Sequence, residues 1–458
     1  MARRRRKRPI FEMEIEEVIF PNKGVGRYKE NKVIVKGGIV GQIVKVMITR
    51  RRKDYYQGKI LEVIKRSPIE ETSRCPHSDR CGGCMYQTLD YSKELKIKEE
   101  LVMELFNEEN LLDIEFLGIE PSPRENEYRN KMEFTFGDED GKLSLGLHAR
   151  GKFYEIVGVK HCNIVDEDFR RIRNEVIEYF KEKEIPHYHK KRHEGILRHL
   201  VVRKALSTGE ILVNLVTSSQ GELDLEELIE KLKTLELEGK ITGFLHTIND
   251  NLADAVNVDR LEVLYGREYL IEEILGLKFK ISPFSFFQTN TFGAEKLYSI
   301  AREFAGDVDD KVVFDLYSGT GTISIIMAPL AKKVIGIEIV EEAVEMAKEN
   351  AKLNRLDNVE FIAGDVLKEV DNLKEKPDLI IIDPPRDGIN PKAIGKIIDF
   401  NPDKFVYISC NPVTLVRDLK EFERRGYRVN KVKLMDMFPR TPHVEAAILM
   451  TYCGSDKE

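Results

Sequence analysis

The segment between about residue 276 and residue 450 alternates apolar, strand-like runs with helix-like segments. The apolar runs lie at 312–314, 334–337, 379–382, 405–408 and 446–450. A strand that is apolar at nearly every position is typical of a parallel sheet covered on both faces, and helices are the usual crossovers between such strands. The alternation therefore predicts a parallel, doubly wound α/β domain, in which ligands bind at the carboxyl ends of the strands.

The chain ahead of this domain divides into two further parts. Residues 10–67 alternate apolar and polar positions between glycine-containing turns, which predicts a small β-barrel of a kind that often binds oligonucleotides. Residues 68–275 combine strand-like runs with a helix near 91–115, a candidate to pack against the last domain. The 458 residues suffice for three cores, so we set the domains at 1–67 (barrel), 68–275 (α+β) and 276–458 (α/β).

The charge distribution favours an RNA partner. The net charge of −6 means that nucleic acid would have to bind at local basic patches, which the sequence offers at 3–8, 50–53 and 190–204. The alternative to RNA-binding patches is that these basic runs are ordinary solvated loops. The chain has no apolar run of membrane-spanning length, and no apolar segment follows the basic N-terminus, so we expect a cytoplasmic protein, monomeric and not bound to membranes.

Four of the six cysteines are spaced like ligands of one metal site. Cys75, Cys81 and Cys84 lie close together, and Cys162 follows much later. The glycines at 82 and 83 would let the backbone turn tightly around a bound group. The spacing alone leaves tetrahedral zinc and a [4Fe-4S] cluster equally open, with unligated buried thiols as a third interpretation.

A glycine-rich turn with Gly319 and Gly321 follows the first strand of the α/β domain. Such a turn lets a ligand approach the backbone, and Glu338, at the end of the next strand, would suit two ribose hydroxyls. Dinucleotide enzymes use a similar turn, but Ser324 stands where their third glycine is expected. We therefore favour S-adenosylmethionine over a nicotinamide cofactor, with Asp365 near the adenine.

Two short motifs far apart in the sequence fit one reaction. Cys410 ends an apolar run and is followed by Asn411-Pro412, which would place the thiol at the mouth of the strand, and Glu445 follows some thirty residues later. Alone, Cys410 could be a small buried hydrophobe and Glu445 a loop carboxylate. Together they suggest methyl transfer to a carbon atom, with a cysteine nucleophile and a carboxylate base, and His443 in a structural hydrogen-bonding role.

In combination these motifs resemble the RNA uracil-C5 methyltransferases that act on 23S ribosomal RNA and on tRNA. The resemblance extends from the barrel, which is similar to a TRAM domain, to the C-terminus. Its matching segments are Cys75 with 81–84 and Cys162, 286–290, 315–322, 383–386, 409–412 and 443–445. It implies an OB-like TRAM barrel, a central α+β domain with an iron-sulfur cluster, and a C-terminal Rossmann-like class I methyltransferase domain.

The resemblance also implies roles for individual residues. Cys410 would add to carbon 6 of uracil, and Glu445 would remove the proton from carbon 5. The cysteines at 75, 81, 84 and 162 would hold a [4Fe-4S] cluster. S-adenosylmethionine would contact Gln288, Tyr317, Thr322, Glu338, Asp365 and Asp383, although position 322 is asparagine in some relatives.

Further contacts concern the uracil base. Asp383, Gln288 and Arg386 are candidates to orient the base or to stabilise charge on its carbonyl oxygens. Phe286 and Phe287 are candidate stacking platforms for it, although either could instead belong to the core.

Several functions remain open at this point. The leading hypothesis is methylation of a specific uridine in 23S rRNA, and the nearest alternative is the T-loop uridine of tRNA. A third is a non-catalytic iron-sulfur module that binds RNA. Methylation of an exocyclic amine is also compatible with Asp383-Pro384-Pro385, but that reaction needs no cysteine.

Overall fold

The computed structural model describes residues 8–111, 113–253, 258–369 and 371–454. Of the basic run at 3–8, only Arg8 falls within these ranges, so the remainder of that predicted patch lies outside the described residues. No helix in the described part of the chain is long and apolar enough to cross a membrane.

The N-terminal part is rich in strands, as its alternating pattern predicts. Its strands are β1 (Ile10–Glu14), β2 (Glu17–Ile19), β3 (Lys23–Tyr28), β4 (Asn31–Lys36), β5 (Ile43–Arg51) and β6 (Tyr56–Lys65). They form one six-stranded sheet in the order β1-β5-β6-β4-β3-β2. The amide of Glu16 donates to the carbonyl of Val25 at 2.9 Å, so the chain just beyond β1 also lies against β3. The sheet therefore curls around a core that includes Ile15, Val33 and Val44.

The central part is built on a seven-stranded sheet in the order β10-β9-β8-β11-β12-β13-β14. The elements of this part are α1 (Tyr91–Glu108), β7 (Glu115–Glu120), β8 (Lys131–Glu139), β9 (Lys142–Ala149), β10 (Lys152–Gly158), α2 (Glu167–Glu182), β11 (Leu197–Lys204), β12 (Glu210–Thr217), α3 (Glu226–Lys233), β13 (Lys240–Ile248) and β14 (Arg260–Gly266). Helices α2 and α3 contribute Phe169, Ile172 and Leu228 to the core of this sheet.

The burial of β11 shows that the prediction of a basic surface patch at 190–204 was partly wrong. Every residue of β11 is buried, including Arg198, Arg203 and Lys204. The Lys204 ammonium donates to Asp166 and Asp168 at 2.6 Å each, and the other two side chains donate to backbone carbonyls. These cations therefore stabilise the domain from inside, and within 190–204 the exposed basic side chains lie in the loop before β11.

The C-terminal part contains the predicted α/β sheet. Its elements are β15 (Leu270–Ile274), β16 (Leu277–Ile281), α4 (Thr291–Ala305), β17 (Val312–Leu316), α5 (Thr322–Met327), β18 (Lys333–Glu338), α6 (Glu341–Leu353), β19 (Val359–Ala363), α7 (Val366–Glu369), β20 (Leu379–Ile382), α8 (Pro391–Asp399), β21 (Lys404–Ser409), α9 (Pro412–Arg424), β22 (Tyr427–Met435) and β23 (Glu445–Tyr452). Helices cover both faces, with α4 to α6 against one and α1, α8 and α9 against the other.

This sheet has the order β19-β18-β17-β20-β21-β23-β22-β7. Strands β17 to β21 are parallel, as predicted, but β23 runs antiparallel to β21, so the expectation of an entirely parallel sheet was wrong. The reason is an additional strand, β22, which the apolar pattern did not reveal. Strand β22 runs in the same direction as β21, and the chain then reverses, so β23 runs antiparallel to both. The edge strand β7 comes from the middle of the chain and pairs in parallel with β22.

A buried ion network attaches α1 to the loop between β22 and β23. The Lys98 ammonium lies 2.7 Å from Glu94 Oε1 and 2.7 Å from Asp436 Oδ1. The Tyr91 hydroxyl donates to the other oxygen of Asp436 at 2.8 Å, and the amide of Arg440 donates to Glu94 at 2.7 Å. Because a charge left unpaired in the interior is costly, these contacts hold the loop that leads to Glu445 in one place.

Candidate active site

Strand pairing brings Cys410 and Glu445 together. Ser409, the last residue of β21, pairs with Ala446 of β23 in the antiparallel register. Continuing this register by one residue sets Cys410 opposite Glu445, and the charge of Glu445 acts on the Cys410 thiol. Residues directly opposite each other on an antiparallel pair project their side chains to the same face. The two residues with predicted catalytic roles therefore lie side by side at the end of the sheet.

The turn after β21 exposes the Cys410 thiol to this site. Asn411 has an extended backbone, with φ of −140°, and Pro412 occupies the first turn of α9. The Asn411 side chain donates to the carbonyl of Arg386 at 2.8 Å, and Thr414 donates to the same carbonyl at 3.2 Å. The turns after β20 and β21 are thereby joined, and Cys410 is half-buried between them.

The surroundings of Cys410 oppose its ionisation, with one exception. Burial, followed by the charges of Glu445 and Asp383, raises the pKa of the Cys410 thiol to about 11. Arg386 acts in the opposite direction, because its positive charge and its hydrogen bond to Cys410 both favour the thiolate. Arg386 is therefore the group in this site that favours the Cys410 thiolate.

His443 holds Arg386 in position. Burial and the nearby positive charges lower the pKa of His443 to about 4, so its ring is neutral at physiological pH. Arg386 Nη2 lies 3.0 Å from His443 Nδ1, which can then accept a hydrogen bond from the guanidinium. The geometry agrees with the structural role that we expect for His443 and adds the identity of its partner.

Three acids share the site: Asp315 and Glu445 are buried, and Asp383 is partly exposed. Burial, followed by the charge of Asp315, raises the pKa of Asp383 to about 7, and burial raises the pKa of Asp315 to about 6. The pKa of Glu445 is raised well above its usual value by burial and by Asp383. Carboxyl groups in such surroundings bind protons readily, and they also favour a cationic ligand.

Tyr298 joins these acids, although no motif in the sequence points to it. This tyrosine of α4 is buried, and its pKa is raised well above the usual value by burial and by the charges of Asp383 and Glu445. Gln288 lies within hydrogen-bonding reach of the hydroxyl. A tyrosine on the apolar side of a helix is typical of a core residue, so only the folded structure indicates its place at the site.

The glycine-rich turn lies where the resemblance requires a cofactor. Tyr317, Gly319 and Gly321 have φ values of 67°, 54° and 77°, and a Cβ on Gly319 would meet no atom within 4 Å. The Glu338 carboxylate accepts hydrogen bonds from the amides of Gly319 at 2.9 Å and Val340 at 3.0 Å. The turn after β17 and the end of β18 therefore form one wall with open space in front of it.

Unsatisfied polar atoms face this region. Asp315 Oδ1 and Ser318 Oγ are buried without a hydrogen-bond partner among the described residues. Thr322 begins α5, and Asp365 follows β19 and accepts from the amide of Leu367 at 3.0 Å. Buried polar atoms are normally hydrogen-bonded, so these residues fit a polar ligand such as S-adenosylmethionine at the carboxyl ends of the strands.

The two phenylalanines before Gln288 differ in their surroundings. Phe287 is buried and packs on Phe279 with ring centroids 5.9 Å apart, so the hypothesis that it stacks on the substrate base was wrong. Phe286 is 70% exposed, and its carbonyl accepts from Thr320 in the glycine-rich turn. Of the two, only Phe286 remains a candidate platform.

The four predicted ligand cysteines converge on one cavity of about 10 Å³. None of the four forms a disulfide bond. Burial raises the pKa of Cys84 to about 12 and that of Cys162 to about 11, and repulsion among the four thiolates adds to both shifts. As they stand, no three His, Cys, Asp or Glu side chains in the described ranges have the arrangement of a metal-ion site, so the prediction of a cluster is not confirmed.

Comparison with known proteins gives consistent matches. Residues 90–452 match the family model of the tRNA (uracil-5-)-methyltransferases. An uncharacterized RNA methyltransferase of Caldanaerobacter subterraneus is 55% identical, covering 96% of this chain and 98% of its own, and one from Clostridium tetani is 54% identical, covering 97% and 98%. The crystal structure of Pyrococcus abyssi tRNA (uracil-54, C5)-methyltransferase with S-adenosyl-L-homocysteine matches with a TM-score of 0.75 and 26% identity, covering 96% and 99%.

The contact between Arg386 and Cys410 predicts how the thiol reacts with pH. In Arg386→Gln the thiolate loses its neighbouring positive charge, which corresponds to a pKa about one unit higher and to alkylation about tenfold slower near pH 8. His443→Ala should slow alkylation in the same direction but less, and His443→Gln, which keeps an acceptor, least of all. The measurement is the rate of iodoacetamide labelling of the Cys410 peptide from pH 6 to 10, by mass spectrometry.

The exposed Cys453 provides an internal control in the same samples, and its labelling should be equal in all variants. Unchanged labelling of Cys410 in Arg386→Gln would contradict this account of the thiol.

Proposed function

We propose, from the premise that the chain belongs to the tRNA (uracil-5-)-methyltransferase family, that it methylates carbon 5 of a specific uridine in 23S ribosomal RNA. Family membership makes the protein an S-adenosylmethionine-dependent RNA uracil-C5 methyltransferase; the RNA that it selects and the residues that carry the reaction are the proposal. The observation that supports the reaction most is the side-by-side position of Cys410 and Glu445 at the end of β21 and β23.

In the first step, the Cys410 thiolate adds to carbon 6 of the uracil. The electron pair of the thiolate forms the bond between sulfur and carbon 6, and the π electrons of the ring move to make carbon 5 nucleophilic. Arg386 favours this step because it stabilises the thiolate. S-adenosylmethionine, when bound, supplies the methyl group that carbon 5 receives.

In the second step, Glu445 takes the proton from carbon 5. The electrons of that bond restore the double bond between carbons 5 and 6, and the bond from carbon 6 to sulfur breaks, which releases the Cys410 thiolate. The raised pKa of Glu445 suits this role, because a carboxylate of higher pKa is the stronger base once it is ionised.

We assign the S-adenosylmethionine contacts to Gln288, Tyr317, Thr322, Glu338, Asp365 and Asp383. Support comes from their location, because they lie in or near the turns that follow β17, β18, β19 and β20 or just before α4. The carboxyl groups of Asp315 and Asp383 favour a cationic ligand, and the unsatisfied oxygen of Asp315 favours a ligand that can donate a hydrogen bond. Gln288, Asp383 and Arg386 would also orient the uracil, with Phe286 as an exposed stacking platform.

We further propose that residues 1–67 form an RNA-binding barrel of the TRAM type, that 68–275 form the central domain and that 276–458 form the methyltransferase domain. The curled six-stranded sheet supports the first assignment. The boundary between the central and methyltransferase domains has one exception in space. Helix α1 and strand β7 belong to the central segment of the chain but pack with the C-terminal sheet.

The convergence of Cys75, Cys81, Cys84 and Cys162 supports a [4Fe-4S] cluster. Buried thiols with raised pKa values stay neutral unless a cation compensates the thiolates, and iron would provide that compensation. In such a cluster each cysteine binds a different iron atom, so its ligands need not satisfy the distances of a site for one ion.

Removal of one of these ligands tests the cluster. Protein purified without oxygen should contain about four iron and four sulfide per chain, and Cys84→Ser should lose most of both. Cys453→Ser, which changes an exposed thiol outside the cavity, should retain them. One zinc per chain, or a metal-free protein with all four thiols reactive, would contradict the cluster.

A tRNA T-loop uridine is the second candidate substrate. The observation in its favour is the structural similarity to the Pyrococcus abyssi protein, which is named as a methyltransferase of uracil 54 in tRNA. The barrel and the four cysteines, through the resemblance to the ribosomal RNA enzymes, favour 23S rRNA.

Methyl transfer to both RNAs tests the proposal. Unmodified 23S rRNA fragments and tRNA would be incubated with labelled S-adenosylmethionine, and the products mapped by mass spectrometry. We expect 5-methyluridine in 23S rRNA with the wild type and none with Cys410→Ala. Product in tRNA alone would overturn the substrate, and product that persists in Cys410→Ala would instead indicate chemistry without a cysteine, such as amine methylation. No product on either RNA, with the cysteine site intact, would favour the RNA-binding module.

A further inference from the structure

Two neighbouring aromatic residues are exposed on the central sheet, far from Cys410 in sequence. Phe153 and Tyr154 of β10 are 56% and 58% exposed. Consecutive residues of a regular strand point to opposite faces, but the register of β10 with β9 shifts between Lys152 and Ile156. This irregularity leaves both rings on the surface, although burying either one would stabilise the fold.

A lysine ammonium lies over each of these rings. Lys190 Nζ is 5.1 Å from the centroid of Phe153, and Lys191 Nζ is 4.3 Å from that of Tyr154. We call these four residues, Phe153, Tyr154, Lys190 and Lys191, the aromatic-basic patch. The β11 cations are buried, whereas Lys191 is exposed and Lys190 is partly exposed.

Flat rings are already stacked in this patch. The ring of His148 lies parallel to Phe153, with an interplanar angle of 8° and centroids 5.2 Å apart, whereas Tyr154 stands nearly perpendicular to Phe153 at 88°. The Glu155 carboxylate, on the same strand, contacts Lys152 and Arg80. The patch therefore combines exposed aromatic rings with ammonium groups in contact with them.

The hairpin that carries the patch contacts both the N-terminal barrel and the cysteine loop. Lys59 of β6 donates to the carbonyl of Gly151, in the turn just before the patch, at 2.9 Å. The amide of Gly82, in the cysteine loop, donates to the carbonyl of His148 before the same turn at 2.9 Å. An RNA bound at the patch would therefore lie close to the barrel and to the cysteine loop.

The barrel repeats the same combination of groups. The Arg51 guanidinium lies 5.3 Å from the centroid of Tyr56, on β5 and β6. Surfaces for protein partners are marked instead by contiguous apolar area, which this alternation of rings and cations does not provide. Single-stranded nucleic acid needs aromatic platforms for its bases and cations for its phosphates, side by side.

We propose that the aromatic-basic patch binds a single-stranded segment of the substrate RNA, outside the uridine that is methylated. The bases stack on Tyr154 and Phe153, and the ammonium groups of Lys190 and Lys191 contact the phosphates. The proposal rests on the proposed function in one respect, because its occupant is the RNA whose uridine enters the site at Cys410.

Two double variants of the full-length protein separate stacking from charge. Phe153→Ala with Tyr154→Ala removes both platforms, and Lys190→Gln with Lys191→Gln removes two charges. The matched control is Lys374→Gln with Lys376→Gln, which removes the same charge just before β20, at the end of the sheet opposite Cys410. The probe is a fluorescent fragment of 23S rRNA with a single-stranded flank, and the readout is its anisotropy in a salt series.

The aromatic variant should bind this RNA roughly tenfold or more weakly, because each stacked base contributes to affinity. The lysine variant should lower the slope of log affinity against log salt by about 1.4, or about 0.7 for each phosphate that is no longer neutralised. The control variant should match the wild type in both. Wild-type affinity and slope in the two patch variants would overturn the proposal.

A methyl-transfer assay on two RNAs keeps this test distinct from that of the proposed function. With the flanked RNA the aromatic variant should raise KM about tenfold at unchanged kcat. With a short RNA that carries the target uridine but no flank, it should equal the wild type. An equal loss on both RNAs would contradict a flank-binding role. Absence of product from the wild type itself would overturn the proposed function, while the binding series would still decide the role of the patch.

Discussion

The antiparallel pairing of β23 with β21 is the constraint on which the active site depends. It places Glu445 opposite Cys410, and a slip of one residue would turn the carboxylate to the other face of the sheet. The register is well defined because Ala446, Ala447 and Ile448 are fully buried between helices on both faces. The ion network around Lys98 fixes the loop that precedes Glu445, so helix α1, from the middle of the chain, takes part in positioning Glu445.

Burial and charge oppose each other at this site. The same low-polarity surroundings that raise the pKa of Glu445, and so make it a strong base, also raise the pKa of the Cys410 thiol. Arg386 acts against burial at Cys410, because its positive charge lowers the pKa of the thiol, and it donates a hydrogen bond to the neutral ring of His443. One positioned cation therefore favours the Cys410 thiolate, while the carboxyl groups keep a high affinity for protons.

The apolar runs predicted the strands of the α/β sheet well, because strands buried on both faces leave a clear mark in the sequence. They did not predict the direction of β23, because that direction depends on the preceding strand, β22. Buried and partly exposed positions are mixed along β22, so its sequence contains no continuous apolar run. Recruitment of β7 from a distant part of the chain has no local signal at all. The C-terminal sheet consequently contains a strand from the central part of the chain, which the order of segments along the chain does not indicate.

At the site, motifs with unusual composition were found from the sequence, and residues of ordinary appearance were not. Cys410 and Glu445 could be paired in advance because their chemistry is complementary. Tyr298 could not, because a tyrosine on a buried helix face looks like core. The opposite error occurred with Arg203 and Lys204, whose charges suggested surface but whose partners are buried carbonyl and carboxylate oxygens.

Trapping the covalent adduct between protein and RNA tests the central claim most directly. Glu445→Gln would be incubated with S-adenosylmethionine and substrate RNA, denatured, and resolved by gel electrophoresis and peptide mapping. Because the proton on carbon 5 then has no base to accept it, the account predicts a complex that survives denaturation, with the nucleotide attached to Cys410, and no complex when Cys410→Ala is added. A Glu445→Gln protein that forms no adduct, or an adduct that persists without Cys410, would contradict it.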